Sequence, residues 1–278
     1  MKTNYHTHVK LCGHASGMSE DYVRKAIELG YDEIGISDHG PIPRDWMSKD
    51  EYEFHWLHRQ MALIDFYETY LPDVEVAIHE YKDKISIKKG LEIEYVSGKD
   101  DYYRKLLSKL DYLNLGVHYF FHEGTSYNSY ESLDYTQIQY YADTVEEGLD
   151  KKFFKILVHP ELFMYNYMSS NQVYREFDQY AIQVSRRIIE AAIRNDVALE
   201  INAGGVSSGK VHIQDKEEYV YPRSEFWNLV KEYMKKYPVK VVIGADAHTP
   251  EALGDSFYDE TIAFAKSMGI KIIEKLDM

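Results

Sequence analysis

The sequence predicts an α/β protein built as a small seven-stranded β/α barrel, and three observations carry that reading. Short β-branched or apolar runs alternate with longer helix-like segments, the pattern of β/α units around a parallel sheet. Seven such runs occur, near residues 2–6, 32–38, 84–92, 112–118, 153–159, 197–202 and 239–246. Each ends on, or within two residues of, a side chain able to bind a metal or a polar substrate. In a β/α barrel the C-terminal ends of all strands converge on one face, so these side chains would meet there. No Gly/Ser-rich or Pro-rich linker and no fixed-period repeat divides the chain, so one domain over residues 1–278 is expected.

Between the strands lie amphipathic stretches such as Glu20 to Leu29, Glu51 to Tyr70, Val173 to Asn195 and Ser224 to Lys236, with Gly30 placed to stop the first. With 278 residues, 45% of them apolar, the chain can bury a sizeable core. The 26 tyrosines fall mostly in helices and loops, at spacings that suit half-buried packing. A net charge of −14 argues against a general nucleic-acid partner, which needs a basic stripe to displace counterions. A short or monomeric substrate is expected instead. A single cysteine, Cys12, allows no internal disulfide, and the opening MKTNYHTHVK lacks the apolar run of a signal peptide or membrane anchor. A cytoplasmic location with no membrane contact is therefore expected; oligomeric state leaves no mark in the sequence.

The strand ends supply the chemistry. His6 and His8 stand two apart in YHTHV, which in an extended strand puts both imidazoles on one face, within reach of one ion. Strand two ends in Ser37, Asp38 and His39. Strand three runs GLEIEY, with Glu92 and Glu94 on one face, and strand four ends at His118. Strand five ends at His159, strand six at Asn202, and strand seven at Asp246, with His248 close behind. With His14, seven of the twelve histidines lie at or just after strand ends, whereas chance would scatter them over helices and loops. His55, His58, His79, His122 and His212 are expected in solvent or packing roles. The set is rich in imidazole, holds carboxylates able to bridge, and lacks thiolates other than Cys12. A multinuclear site for Zn, Mn or Fe follows, and one cysteine with no CxxC partner makes a Cys/His zinc site a poor alternative.

These residues resemble the PHP (polymerase and histidinol phosphatase) family of metallophosphoesterases over almost the whole chain. Its motifs occur in order: HxH at His6 and His8, a third histidine at His14, an acidic residue plus His at Asp38 and His39, and G-x-E at Gly90 to Glu92. His118, His159 and DAH at Asp246 to His248 follow. The resemblance implies a distorted, TIM-like (β/α)7 barrel with three divalent metal ions at its mouth. His6, His8, Glu92 and Asp246 would hold one ion, with Glu92 bridging to a second held by His118 and His159. His14, His39 and His248 would hold the third, and Glu92, Asp246 and His39 would be the catalytic residues. The length, the GLEIEY strand and LEINAGG look most like the histidinol-phosphate phosphatase branch, which implies hydrolysis of a small phosphorylated substrate to histidinol in histidine synthesis. Such hydrolysis needs no protein nucleophile, because water activated by metals can attack the phosphoryl group. In agreement, CGHASGM places Met18 where a phosphate-cradling CxxxxxR loop would have its arginine.

The chain departs from that branch in two places. Members carry an arginine shortly after the strand-five histidine and a basic residue after the strand-six Asn. Here the stretches read HPELFMYNY and INAGGVSSGK. Arg223, ahead of Lys210, is therefore the expected phosphate clamp, because a guanidinium grips two oxygens at once. Glu161 is the side chain considered as general acid, Asn202 as a substrate contact, and Glu94 as lying past the ligand position. Other small substrates of the family, such as nucleotides or sugar phosphates, remain alternatives, as does a metal-retaining regulatory protein. A phosphotyrosine phosphatase is disfavoured, since LCGHASG stands where those enzymes show a DDG run.

Overall fold

The structure, a computed structural model, describes residues 1–47, 49, 52–53, 59–168, 173–213 and 215–278. Its twelve described strands are β1 (Thr3–Asn4), β2 (Glu33–Ile36), β3 (Ser86–Lys89), β4 (Glu92–Ile93), β5 (Asn114–Leu115), β6 (Tyr119–His122) and β7 (Thr125–Asn128), then β8 (Ile156–Leu157), β9 (Ala198–Asn202), β10 (Lys210–Ile213), β11 (Lys216–Tyr219) and β12 (Val241–Gly244). Eight of them run parallel, in a three-stranded sheet ordered β1-β2-β3 and a five-stranded sheet ordered β12-β9-β8-β5-β4. The α/β class with parallel strands thus matches the sequence reading. The stretch expected as one strand over 84–92 is divided, because β3 pairs with β2 whereas β4, beyond Gly90 and Leu91, pairs with β5. Two isolated parallel bridges, Thr7 with Ala247 and His39 with Glu92, link the sheets. Two antiparallel hairpins, β6-β7 and β10-β11, follow β5 and β9 and were not anticipated.

Alternation along the parallel strands explains the core. Tyr112, Ile156, Val158, Ala198 and Val242 form one buried cluster with Tyr5 and Leu276. Their immediate neighbours Leu113, Leu157, Leu199 and Val241 belong to the larger core on the other face. Both faces are buried, as parallel sheets flanked by helices require. Continuing by twos towards the strand ends, the Tyr112 face becomes polar: Ala198 leads to Glu200 and Asn202, Val242 to Gly244 and Asp246, and Tyr112 to Asn114, Gly116 and His118. One face is therefore apolar at its N-terminal end and rich in carboxylate, amide and imidazole side chains at its C-terminal end. Tyr112 closes the apolar end, its hydroxyl donating to the Tyr5 carbonyl at 2.9 Å. It fits because Gly35 and Gly90 carry no Cβ; one added at either would overlap the ring or its hydroxyl.

The helices follow the expected amphipathic stretches with shifted ends. Ser19–Glu28 and Ser224–Met234 lie close to their expected limits. The stretch expected from Val173 begins only at Gln179, because the Asp178 carboxylate caps Tyr180 N and Ala181 N there. The start of the Glu51–Tyr70 stretch falls partly outside the described residues; within them, Leu63–Asp65 and a π-helical turn at Phe66–Tyr70 lead into Leu71–Tyr81, with Pro72 in its first turn. Among the described residues no helix is long and apolar enough to cross a membrane. Replacing Gly90 by Ala should destabilise the protein by about 1–3 kcal/mol through overpacking against Tyr112. Urea unfolding checks this, and an unchanged midpoint would show that the Tyr112 ring can yield.

Candidate metal centre

The HxH segment is fixed from both sides before its imidazoles do anything. Thr7 N donates to Ser37 Oγ at 3.1 Å and Thr7 Oγ1 to the Gly35 carbonyl at 2.8 Å, while His8 N donates to the Ala247 carbonyl at 2.8 Å. Thr7 is thus tied to β2 and the chain beyond β12, and His6 and His8 project together, their ring centroids 4.9 Å apart. Glu92 is tied down likewise, its N–H shared between the carbonyls of Ser37 and Asp38 and its carbonyl accepting from Gly40 N. His159 and Asp246 hold their places with φ of 33° and 49°, left-handed values that non-glycine residues adopt at a cost of order 1 kcal/mol and that cluster at functional sites.

Glu92 is the hub. Its Oε2 lies 3.3 Å from His6 Nε2, 3.5 Å from His8 Nε2 and 3.1 Å from His39 Nδ1. Its Oε1 lies 2.9 Å from His159 Nε2 and 3.4 Å from His118 Nε2. Asp246 Oδ1 closes the first set, 3.4 Å from His6 Nε2 and 3.0 Å from His8 Nε2. Four donors about 2.1 Å from one tetrahedral ion lie roughly 3.4 Å from each other, so His6, His8, Glu92 and Asp246 have the spacing of a ligand set. His6 Nε2 and Glu92 Oε2 are buried with no hydrogen-bond partner, at a point where a cation would satisfy both. The donors of His39, Glu92 and His118, and of His8, His39 and His248, also come within 4.8 Å of one another. His14 joins none of these sets, although its ring lies 4.8 Å from that of His248 and 5.1 Å from that of His39.

Charge explains why these groups need cations. Burial disfavours charge on His6, but Glu200, Asp246 and Glu92 outweigh it and hold the ring well above its usual pKa. Burial is likewise overcome at His8, raised to about 9 by hydrogen bonds with Asp246 and Asp38, and at His118 by Glu92 and Glu94. Glu92 and Asp246 sit well below the carboxylate range, since the surrounding imidazoles override their burial. Burial and the neighbouring His8 push His14 and His39 down, and His248 to about 3. The carboxylates thus favour positive charge at His6, His8 and His118, and a metal ion taking those nitrogens must displace any proton they carry.

Three carboxylates outside the nine expected ligand positions lie behind the imidazoles. Glu200 accepts from His159 N at 3.0 Å and from Asn202 Nδ2 at 2.7 Å, and is paired with His6 Nδ1 at 2.8 Å. Asp38 lies 3.5 Å from His8 Nδ1 and accepts from Cys12 N. Glu94, expected to lie clear of the ligands, is buried and paired with His118 Nδ1 at 2.9 Å. Buried carboxylates behind imidazole ligands fix the tautomer and the ring orientation. Period two along β9 was the signal that could have found Glu200, as it had already put Glu94 on the face of Glu92. Cys12 stays a thiol, pushed up by burial, its Sγ donating to the Val9 carbonyl.

A cavity of about 490 Å³ opens over this cluster, lined by His14, His39, His118, Asp246 and His248 together with Arg59, Gln60, Glu94, Tyr119, Tyr130 and Tyr165. A second, of about 410 Å³, shares Tyr130, Tyr165, Asp246 and His248 and extends past Ser207, Tyr221 and Phe257. Three expected substrate residues face neither. Arg223 is 1% exposed, its Nε 3.4 Å from Glu225 Oε2, and it lines a separate cleft with Glu176 and Glu218. Sequence proximity to the β9 loop says nothing of direction, and this side chain turns away from the cluster. Lys210 is exposed on β10, its ammonium 4.7 Å over the Tyr219 ring. Glu161 is buried, accepting from Trp227 Nε1 at 2.7 Å and Arg223 N at 3.1 Å, and burial raises its pKa to about 8. Asn202 does reach the cluster, its Nδ2 3.3 Å from Asp246 Oδ2. His79 and His212 are exposed and His122 stacks on Tyr140 at 3.5 Å, as packing and solvent roles require, while His55 and His58 lie outside the described residues. Glu94→Gln, which removes the charge behind His118, should weaken metal retention by roughly 10–100-fold. Chelator-competition titration measures it, and unaltered retention would return Glu94 to a role outside the site.

The model of the PHP domain matches residues 4–204, which takes in eight of the strands just described and seven of the nine expected ligand positions. Two curated relatives match nearly end to end. A Deinococcus radiodurans protein named "Probable histidinol-phosphatase" is 26% identical over 263 residues, covering 91% of this chain and 89% of that protein. The histidinol-phosphatase of Bacillus subtilis is 23% identical over 282 residues, covering 92% and 97%. The fold is shared with the histidinol phosphate phosphatase of Lactococcus lactis, solved with zinc, L-histidinol and phosphate, at a TM-score of 0.69 and 16% identity over 100% of this chain and 99% of that one. With the domain model covering well over half of its length, the chain belongs to the PHP domain family.

Proposed function

We propose that this chain is a metal-dependent phosphoesterase that hydrolyses a small phosphate monoester, L-histidinol phosphate, to histidinol and inorganic phosphate. The observation that carries the reading is the double-faced Glu92 carboxylate, with His6, His8 and His39 on one oxygen and His118 and His159 on the other. The names of the full-length relatives and the ligands of the Lactococcus lactis protein support the substrate. The reading takes residues 1–278 as one domain and β3 with β4 as a single stave, so that seven parallel staves close into a barrel through the bridge of Thr7 with Ala247.

His6, His8, Glu92 and Asp246 would hold one divalent ion, Glu92, His118 and His159 a second, and His14, His39 and His248 a third, with Zn, Mn or Fe suited to such donors. When bound, such ions acidify a water to a nucleophile near neutral pH and neutralise phosphoryl oxygens. The chain's own part is positioning. Glu200, Asp38 and Glu94 orient the imidazoles, and Asn202 steadies Asp246. Tyr130 stands at the mouth, its ring stacked 5.9 Å from His118, and burial and the nearby carboxylates Asp246 and Glu92 hold its phenol protonated, so that it can donate to an oxygen of the substrate. Cys12, buried and bonded to Val9, is not a nucleophile.

Metal-reconstituted protein assayed on histidinol phosphate, mononucleotides, sugar phosphates and phosphotyrosine should show its highest kcat/KM on histidinol phosphate. Chelator should abolish the activity, and Glu92→Gln should lower it by several orders of magnitude with the fold intact. Chelator-resistant turnover, or full activity in Glu92→Gln, would contradict the reading.

A further inference from the structure

A phosphate dianion entering this mouth meets Glu94 and Asp246 in a chain of net charge −14, so it needs a cationic side chain beside the metal ligands. The two basic positions of the related branch are unfilled, and Arg223 and Lys210 face elsewhere. Among the described residues lining the two cavities on the cluster there is one Arg or Lys, and it is Arg59.

Its position is built. The next residue, Gln60, is 8% exposed and uses its carboxamide twice on Ile42, Oε1 accepting from Ile42 N at 2.6 Å and Nε2 donating to the Ile42 carbonyl at 3.3 Å. Met61, fully buried, donates its N–H to the carbonyl of His39 at 3.3 Å. The turn that carries Arg59 is therefore tied to the residues directly after a metal-site histidine. The guanidinium donates to the Tyr119 hydroxyl, and its charge acts on His14 and Tyr130. Arg59 is an exposed residue lining the cavity, and among the described residues the Tyr119 oxygen is too small a partner to occupy the five N–H donors of its planar fork.

Resting on the phosphoesterase reading, we propose that Arg59 is the phosphate-anchoring residue of this site, supplied by the turn after His39 in place of arginines from the strand-five and strand-six loops. Tyr119 orients the guanidinium, and the fork grips two phosphoryl oxygens. The anchor is specific for a terminal phosphate and indifferent to the rest of the substrate.

The test combines calorimetric titration of inorganic phosphate into the metal-loaded protein with steady-state kinetics on p-nitrophenyl phosphate. Arg59→Ala should weaken phosphate binding at least tenfold and raise KM at least as much, with metal content by elemental analysis unchanged. Arg59→Lys, which keeps the charge and loses the fork, should fall between. Phosphate affinity in Arg59→Ala within twofold of wild type overturns the proposal, as does a loss explained by lost metal. Should the wild-type protein hydrolyse no phosphate monoester, the functional reading fails, and the phosphate titration still decides whether Arg59 is an anion anchor.

Discussion

One buried carboxylate surrounded by imidazoles governs this molecule. Glu92 is 1% exposed and has five histidine nitrogens within 3.5 Å, an arrangement that water cannot relax and that only protons or metal ions can neutralise. Nearly every parallel strand ends beside that point. β1 leads to His6 and His8, the chain beyond β2 brings His39, β5 leads to His118, β8 to His159 and β12 to Asp246. Even small residues are set by it: a Cβ on Gly116 would overlap Glu92 Oε1, and one on Gly244 would overlap Glu200, which holds His6. A buried charge cluster of this kind opposes folding unless it is compensated. Its persistence on strained backbone at His159 and Asp246 is therefore evidence of function.

The cluster of imidazoles and carboxylates was legible in the sequence for a geometric reason. Strand period and strand ends are local properties, and a barrel-like arrangement turns them into a shared location without any knowledge of tertiary contacts. His6 with His8, and His39, His118, His159 and Asp246, could be placed because each terminates an apolar run. The helix starts were less legible, since the boundary at Gln179 depends on whether the Asp178 side chain caps, which periodicity does not reveal. The hairpins β6-β7 and β10-β11 were missed because strands of four residues are too short to show alternation, and β6 buries the consecutive pair Tyr119 and Phe120.

Side chains that reach the site from loops were the illegible part. Arg223 was expected at the mouth because it follows β9, yet it packs beside Glu225 in another cleft. Arg59 sits in a turn that no described strand aims, and its direction depends on Gln60 recognising Ile42, a pairing that exists only in the folded chain. Glu200 and Glu94 fall between these cases. Both lie in register with ligand positions, but nothing in a single sequence separates a carboxylate that binds metal from one that holds a histidine.

The account stands on Glu92 joining two metal positions. Anomalous diffraction from a crystal of the metal-reconstituted protein, collected at the absorption edge of the bound metal, addresses that directly. The account predicts separate peaks on either side of the Glu92 carboxylate, one among His6, His8 and Asp246 and the other between His118 and His159, with a third peak beside His14, His39 and His248. A fully loaded crystal with no peak adjoining Glu92, or with one ion alone in contact with it, would contradict the account.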